Sequence, residues 1–144
     1  MGSAPWPARY APGLVVFKDQ LWLIGGQGHS DVWRSANGKD WKRVRMDSPW
    51  TDRYDNGAAA FNDLLWIFGG RENNPRNAYN DAWYSEDGIA WHLQTRNAPW
   101  TPRSGNNAVV FRNKLWLYGG KHTGHQDSFS GDIWTLDVIQ TPSR

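Results

Sequence analysis

The sequence has 144 residues, of which 39% are hydrophobic and 15% aromatic, which suffices for the core of one globular domain. Its 16 basic and 14 acidic residues are interspersed and leave a net charge of +2, so no basic stripe suggests nucleic acid as a partner. Cysteine is absent from the sequence. Disulfides, thiolate metal sites and cysteine nucleophiles are therefore excluded.

Residues 1–4 show no charged region followed by an apolar run, so we expect no secretory signal peptide. Met-Gly-Ser at the start is typical of a cloning scar, and we predict that residues 1–4 are a scar or disordered. No apolar run approaches the length of a membrane span, and no membrane is predicted as a partner. The localisation stays unknown, with a cytoplasmic location expected if the chain is expressed as it stands.

Three repeats open on a lead-in that contains proline, tryptophan and arginine. The lead-ins begin at Pro5, Pro49 and Pro99. Each is followed by a short run of small, branched and aromatic residues, at 13–17, 57–61 and 107–111. We predict that these runs form the innermost strands of a repeated sheet, because small side chains suit a crowded central axis.

A second strand, ended by two glycines, follows at residues 21–26, 65–70 and 115–120. Four apolar residues in a row predict a strand buried on both faces, and the paired glycines predict a sharp exit. The spacing is 44 residues from Trp22 to Trp66 and 50 residues from Trp66 to Trp116. This period is typical of four-stranded propeller blades.

The third and fourth strands are predicted on either side of an Asn-Gly or Asp-Gly pair. Asn37-Gly38 and Asp87-Gly88 lie between strand-like flanks, and we predict a type I′ hairpin turn at each. The 11 tryptophans fall into columns in register with the repeats, so we interpret them as repeat core rather than as a platform for sugars or bases. The columns are Trp6, Trp50 and Trp100; Trp22, Trp66 and Trp116; Trp33, Trp83 and Trp134; and Trp41 with Trp91.

Together these features resemble Kelch repeats, which combine a hydrophobic strand, Gly-Gly, a spaced aromatic residue and a lead-in with proline and arginine. The match covers about residues 5–140. It implies an all-β fold of Kelch-type β-propeller blades, three per chain, whereas Kelch domains have too many functions to imply an activity. We assign residues 5–48 to blade 1, 49–98 to blade 2 and 99–144 to blade 3. Blade 3 lacks the fourth-column tryptophan, and we predict that its outermost strand is absent.

Three blades cannot close a propeller ring, and the outer faces of blades 1 and 3 would leave large apolar patches in water. We predict a homodimer in which blade 3 of each chain packs on blade 1 of the other and completes six blades. Two alternatives stay open, a fragment of a longer propeller and a trimer with nine blades.

One arginine recurs just before each innermost strand, at Arg9, Arg53 and Arg103. The residues that follow them are Tyr10, Tyr54 and Ser104. In an up-and-down blade the lead-ins share one end with the long loops after the paired glycines, so the arginines would line the channel mouth. Guanidiniums bind carboxylates and phosphates through paired hydrogen bonds. The resemblance implies the same, since Kelch adaptors of ubiquitin ligases use arginines at this place to bind acidic peptides.

We therefore predict a site for a small anion or an acidic peptide at these six residues. The alternative is a structural role, in which each arginine binds backbone carbonyls or an aspartate of a neighbouring blade, such as Asp52 or Asp55.

Catalytic residues, metals and cofactors are not predicted. Kelch-type copper radical oxidases need a tyrosine crosslinked to cysteine, which this sequence lacks, and no serine lies in a Gly-x-Ser-x-Gly elbow. Histidines and an aspartate lie close together at residues 122–127, but a glycine-containing loop does not fix a metal geometry. The sequence favours a non-catalytic, self-assembling propeller scaffold or binding module, engineered or excised. The alternative is a fragment of a carbohydrate-active or oxidase-like propeller enzyme.

Overall fold

The computed structural model describes residues 3–73, 77–122 and 128–136, and these residues form strands and turns without a helix. Sheet 1 has the order β1-β2-β3-β4, with β1 Gly13–Phe17, β2 Gln20–Ile24, β3 Val32–Ser35 and β4 Lys42–Arg45. Sheet 2 repeats this order with β5 Gly57–Phe61, β6 Leu64–Phe68, β7 Ala82–Ser85 and β8 His92–Thr95. Neighbouring strands in both sheets are antiparallel.

Sheet 3 contains three described strands in the order β10-β11-β14, namely β10 Asn107–Phe111, β11 Lys114–Tyr118 and β14 Ile133–Leu136. A small sheet beside it consists of β9 Arg103–Ser104, β12 Lys121–His122 and β13 Ser128–Phe129. The predicted absence of an outermost strand in blade 3 falls on residues 137–144, which lie outside the described residues.

The tightest turns join the first two strands of each sheet. Lys18 and Asp19 connect β1 to β2 with φ of 48° and 57°, and Asn62-Asp63 and Arg112-Asn113 repeat this geometry. Positive φ at both central residues defines a type I′ turn, whose twist matches that of the flanking strands. Asparagine and aspartate tolerate this region better than most residues, which explains their frequency at these turns.

The predicted type I′ turns at Asn37-Gly38 and Asp87-Gly88 are wrong. Residues 36–41 separate β3 from β4, and only the glycine of the Asn37-Gly38 pair has positive φ. Asn37 instead accepts backbone hydrogen bonds at its Oδ1, from Lys39 N at 2.9 Å and Asp40 N at 2.8 Å. Asp87 makes the equivalent bonds in sheet 2. The side chain therefore builds a wider turn, in which asparagine acts as an acceptor rather than as a left-handed residue.

Two apolar clusters lie between successive sheets. The cluster between sheets 1 and 2 contains Trp22, Ile24 and Val32 from one side and Leu65 and Ile67 from the other. The cluster between sheets 2 and 3 is built from equivalent positions one repeat later and includes Phe61, Trp66, Phe68, Leu115 and Leu117. The innermost strands β1, β5 and β10 contact each other in that order. This repeated packing confirms that Trp22 and Trp66 are repeat core.

The tryptophan of each of the first two lead-ins packs edge-on against its own sheet. Trp6 contacts Trp33 and Trp41, with ring centroids 5.7 and 4.6 Å apart, and Trp50 contacts Trp83 and Trp91 in the same way. Such edge-to-face pairs add roughly 0.5–1.5 kcal/mol each beyond the apolar area that they bury. The lead-in is thereby fixed to the outer half of its sheet. No helix in the described ranges has the length and apolar character to cross a membrane.

Candidate functional site

Three ion pairs recur at the junction between each lead-in and its sheet. In sheet 2, Arg53 Nη1 lies 2.6 Å from Asp81 Oδ1, and Trp83 Nε1 donates to the second oxygen of the same carboxylate at 2.8 Å. The three residues come from the lead-in and from the start of β7. One aspartate therefore joins the arginine before the innermost strand to the tryptophan of the third strand.

The first and third repeats contain the same arginine, aspartate and tryptophan, and there the arginine binds the carboxylate through bidentate hydrogen bonds. Arg9 binds Asp31 at 2.5 and 3.1 Å, and Trp33 donates to that carboxylate at 2.7 Å. Arg103 binds Asp132 at 2.5 and 2.8 Å, and Trp134 completes the arrangement at 2.7 Å. Two parallel hydrogen bonds between a guanidinium and a carboxylate form one of the strongest pairings in proteins.

Each arginine also donates to the carbonyl oxygen of the first glycine after the second strand. The distances are 2.8 Å to Gly25, 3.2 Å to Gly69 and 3.1 Å to Gly119. The three arginine side chains are 2%, 3% and 0% exposed. Each guanidinium is thus buried, satisfies a carbonyl at the end of a strand and neutralises a carboxylate. The carboxylates of Asp31 and Asp81 are 10% and 11% exposed, whereas that of Asp132 is 39% exposed.

These contacts agree with the alternative prediction, in which the arginines have a structural role and bind carbonyls and aspartates of the protein itself. The aspartates are not the ones that were predicted. Asp52 and Asp55 do not bind the lead-in arginines; the partners Asp31, Asp81 and Asp132 belong to the same repeat. A repeated pattern in the sequence identifies these partners. An aspartate lies two residues before the tryptophan of the third strand in every repeat. The anionic or acidic-peptide ligand stays a prediction.

The residues after the arginines occupy different surroundings. Tyr54 and Ser104 are buried, whereas Tyr10 is 59% exposed and meets Tyr54 edge-on, with ring centroids 5.8 Å apart. Arg71 stacks over Tyr54 at 4.8 Å and reaches Asp55 at 3.7 Å. The backbone of Tyr54 pairs with that of Arg71, and β9 pairs with β12. This pairing confirms that the lead-ins and the segments after the paired glycines share one end of the sheets.

Aspartate pKa values in these contacts move in two directions. Burial acts to raise the pKa of Asp31, but the hydrogen bonds from Arg9 and Trp33 outweigh it and hold the pKa below its ordinary value. The hydrogen bond from Arg103 holds the pKa of Asp132 well below its usual range, against a smaller effect of burial. Burial raises the pKa of Asp55, because the more distant Arg71 only partly opposes it.

Acid is expected to weaken the fold through the Arg–Asp pairs. A carboxyl whose pKa is lowered by folding stabilises the protein above its unfolded pKa of about 3.9, and this contribution is lost as the pH falls below that value. Asp31 and Asp132 have this sign, while Asp55 has the opposite one. We expect the Tm, followed by circular dichroism, to drop from about pH 5 downward, because the loss begins near the unfolded pKa and continues until the lowered folded pKa is reached. Asp31→Asn should flatten that decline, and a Tm that does not change over this range would contradict the assignment.

Sheet 3 carries an uncovered apolar face on the side away from sheet 2. Its exposed residues include Val109 at 46%, Phe111 at 58% and Ile133 at 65%, and Trp116 is partly exposed beside them. Residues at the equivalent positions of sheet 2 are all buried against sheet 3, namely Ala59, Phe61, Trp66, Phe68 and Ala82. The uncovered face of sheet 3 is thus built like the two faces that lie inside the chain.

Sheet 1 carries the complementary uncovered face on its opposite side. Leu14 and Val16 of β1 are 61% and 63% exposed. Their equivalents in β5, Ala58 and Ala60, pack against the cluster between sheets 1 and 2. Each end of the three-sheet array therefore presents one half of an intersheet contact.

Comparison with known proteins gives a likeness of fold. No known protein family and no curated protein matches the sequence. The solved structure of YjhT superposes on 97% of this chain with a TM-score of 0.77, at 19% sequence identity. The match covers 46% of YjhT, so the chain spans about half of that protein's length. Together with the successive four-stranded antiparallel sheets, the likeness shows that the chain has an all-β, β-propeller-like fold.

Proposed function

We propose that the chain is a non-catalytic Kelch-type propeller scaffold that pairs with a second copy of itself to close a six-bladed ring. The observation that carries the proposal is the uncovered face of sheet 3, where Val109, Phe111 and Ile133 are exposed. The equivalent positions of the other two sheets are buried or packed against an intersheet cluster. Contiguous apolar patches of this kind mark interaction surfaces in soluble proteins.

The second copy offers the face that fits. On sheet 1, Leu14 and Val16 are exposed. They lie on the face that, in sheets 2 and 3, packs against the preceding sheet. A contact of sheet 3 with sheet 1 of another chain joins head to tail, and such contacts form a closed ring when the rotation permits. The coverage of about half of YjhT supports two chains in that ring.

The scaffold role is also favoured by how the recurrent polar residues are used. Arg9, Arg53 and Arg103 each hold an aspartate and a glycine carbonyl in their own repeat. The polar chemistry that recurs in every repeat therefore serves the construction of the sheet.

The proposal predicts a mass in solution of about 33 kDa, twice the 16.5 kDa of the chain. Light scattering across a dilution series measures this mass and shows the concentration at which the assembly dissociates. A mass of three chains would replace the six-bladed ring with a nine-bladed one, and a folded monomer at every concentration would overturn the self-assembly.

A charge placed on the open face of sheet 3 is expected to produce a folded monomer. Phe111→Glu puts a carboxylate on the uncovered face, where burial against another chain would strip its water. The matched control is Ile89→Glu, since Ile89 is also exposed but lies in the β7–β8 turn of sheet 2, which is covered on both sides. Light scattering should give a monomer for Phe111→Glu alone, while circular dichroism shows the same strand content for both variants.

A further inference from the structure

One contact between sheets 1 and 2 fixes how closely they approach. The indole of Trp22 lies directly on the backbone of Gly88, so a Cβ built on Gly88 would be 2.1 Å from Trp22 Cζ3. The space over Gly88 is thus filled by the ring of the preceding sheet. Trp22 is held in this position by a hydrogen bond from its Nε1 to Phe17 O at 3.0 Å.

The two partners of this contact, a tryptophan and a glycine, occur again on the uncovered faces of sheets 3 and 1, where they do not contact each other. Trp116 is the equivalent of Trp22 in sheet 3, and its Nε1 donates to Phe111 O at the same 3.0 Å. Gly38 is the equivalent of Gly88 in sheet 1, with φ of +74° against +72°. A Cβ built on Gly38 would meet only Leu21 Cδ1, at 3.5 Å. The tryptophan is therefore already oriented, and the glycine is open.

We infer that Trp116 of one copy seats on Gly38 of the second copy and that this contact sets the register of the ring-closing interface. The inference rests on the proposed self-assembly and specifies its partner surface. In the single chain, the φ of +74° already favours glycine at position 38. The interface adds a second requirement, because any Cβ there would occupy the space of the indole.

A second pair of positions supports the same register. Lys18 Nζ donates to Glu86 O at 2.8 Å and links the first turn of sheet 1 to the β7–β8 turn of sheet 2. Arg112 is the equivalent of Lys18 and stands over Phe111 at 5.3 Å, as Lys18 stands over Phe17 at 5.0 Å. In the closed ring, Arg112 donates to the carbonyl of Ala36 in the second copy. Ala36 is the equivalent of Glu86 and lies two residues before Gly38.

Backbone hydrogen bonds between successive lead-ins continue this pattern around the axis. Gly105 N donates to Asp55 O at 2.8 Å, and Asp55 N donates to Ala11 O at 3.1 Å. The closing contact would add a bond from Ala11 N of the second copy to Gly105 O. The register that places Trp116 on Gly38 therefore also continues the backbone contacts at the opposite end of the sheets.

The test compares two glycine variants by the dissociation constant of the dimer, measured by light scattering on dilution. Gly38→Ala is expected to raise this Kd about 100-fold or more, because every ring contains the overpacked contact twice. Gly28→Ala is the control, since Gly28 has φ of +76° and nothing within 4 Å of an added Cβ, so it carries the same backbone strain without a clash. Its Kd should equal that of the unaltered chain.

A third variant separates the contact from any general effect at residue 38. In a Trp116→Leu background the space over Gly38 is free, so Gly38→Ala should raise Kd no more than Gly28→Ala does. A dimer in which Gly38→Ala behaves like Gly28→Ala would overturn the Trp116–Gly38 contact and leave the proposed self-assembly standing. An unaltered chain that stays monomeric at every concentration would overturn both.

Discussion

Replacing Arg53 by alanine is expected to lower the free energy of unfolding by about 3–5 kcal/mol, because it leaves the carboxylate of Asp81 buried without its partner. Arg53 is 3% exposed and binds both Asp81 and the carbonyl of Gly69. The loss includes the unpaired carbonyl at the end of β6 as well as the unpaired charge. Thermal and urea unfolding at fixed protein concentration measure the change.

Two further variants make this result specific. Arg96→Ala removes an exposed arginine that directly follows β8 and should change the free energy of unfolding by less than about 0.5 kcal/mol. Removing both partners, Arg53 and Asp81, should cost less than the sum of the single changes, since neither charge is then left alone. A folded Arg53→Ala protein of unchanged stability that loses affinity for an acidic peptide would instead establish the predicted ligand site.

Repetition is what made the fold predictable from the sequence. Trp22, Trp66 and Trp116 mark the second strand of each repeat, and the period between them indicates a four-stranded sheet. The hydrophobic strands, their order and the burial of Trp22 and Trp66 follow from this one alignment. Propeller blades are nearly independent units that contact only their neighbours, so local pattern and global arrangement agree.

The polar contacts were harder to predict, because a residue type repeated in every unit suggests either a ligand or a scaffold. Arg53 alone is ambiguous, and its partner Asp81 lies 28 residues further along the chain, where only the three-dimensional structure brings the two together. The prediction of a type I′ turn at Asn37-Gly38 is wrong for a different reason. A dipeptide preference describes the backbone, whereas here the asparagine side chain accepts hydrogen bonds from residues 39 and 40 and widens the loop.

Gly88→Ala is expected to destabilise the packing of sheet 1 on sheet 2. Among the glycines whose added Cβ would meet a side chain first, Gly88 has the shortest contact. The added methyl would lie 2.1 Å from Trp22 Cζ3, and Trp22 is 2% exposed and held by its hydrogen bond to Phe17 O. Overpacking a core costs about 1–3 kcal/mol. The left-handed φ of +72° adds about 1 kcal/mol for any residue with a Cβ.

Gly28→Ala again serves as the matched control, because it has the backbone term alone and no atom within 4 Å of the new Cβ. The difference in free energy of unfolding between the two variants is therefore the cost of displacing Trp22. Tryptophan fluorescence should shift to longer wavelength for Gly88→Ala only, as the indole of Trp22 is pushed toward water. Equal unfolding energies for the two variants would mean that the intersheet contact yields easily. If the indole is displaced at little cost between sheets 1 and 2, it is displaced at little cost between two chains as well. The measurement on the single chain therefore also sets an upper limit on the free energy that Trp116 and Gly38 contribute to closing a ring.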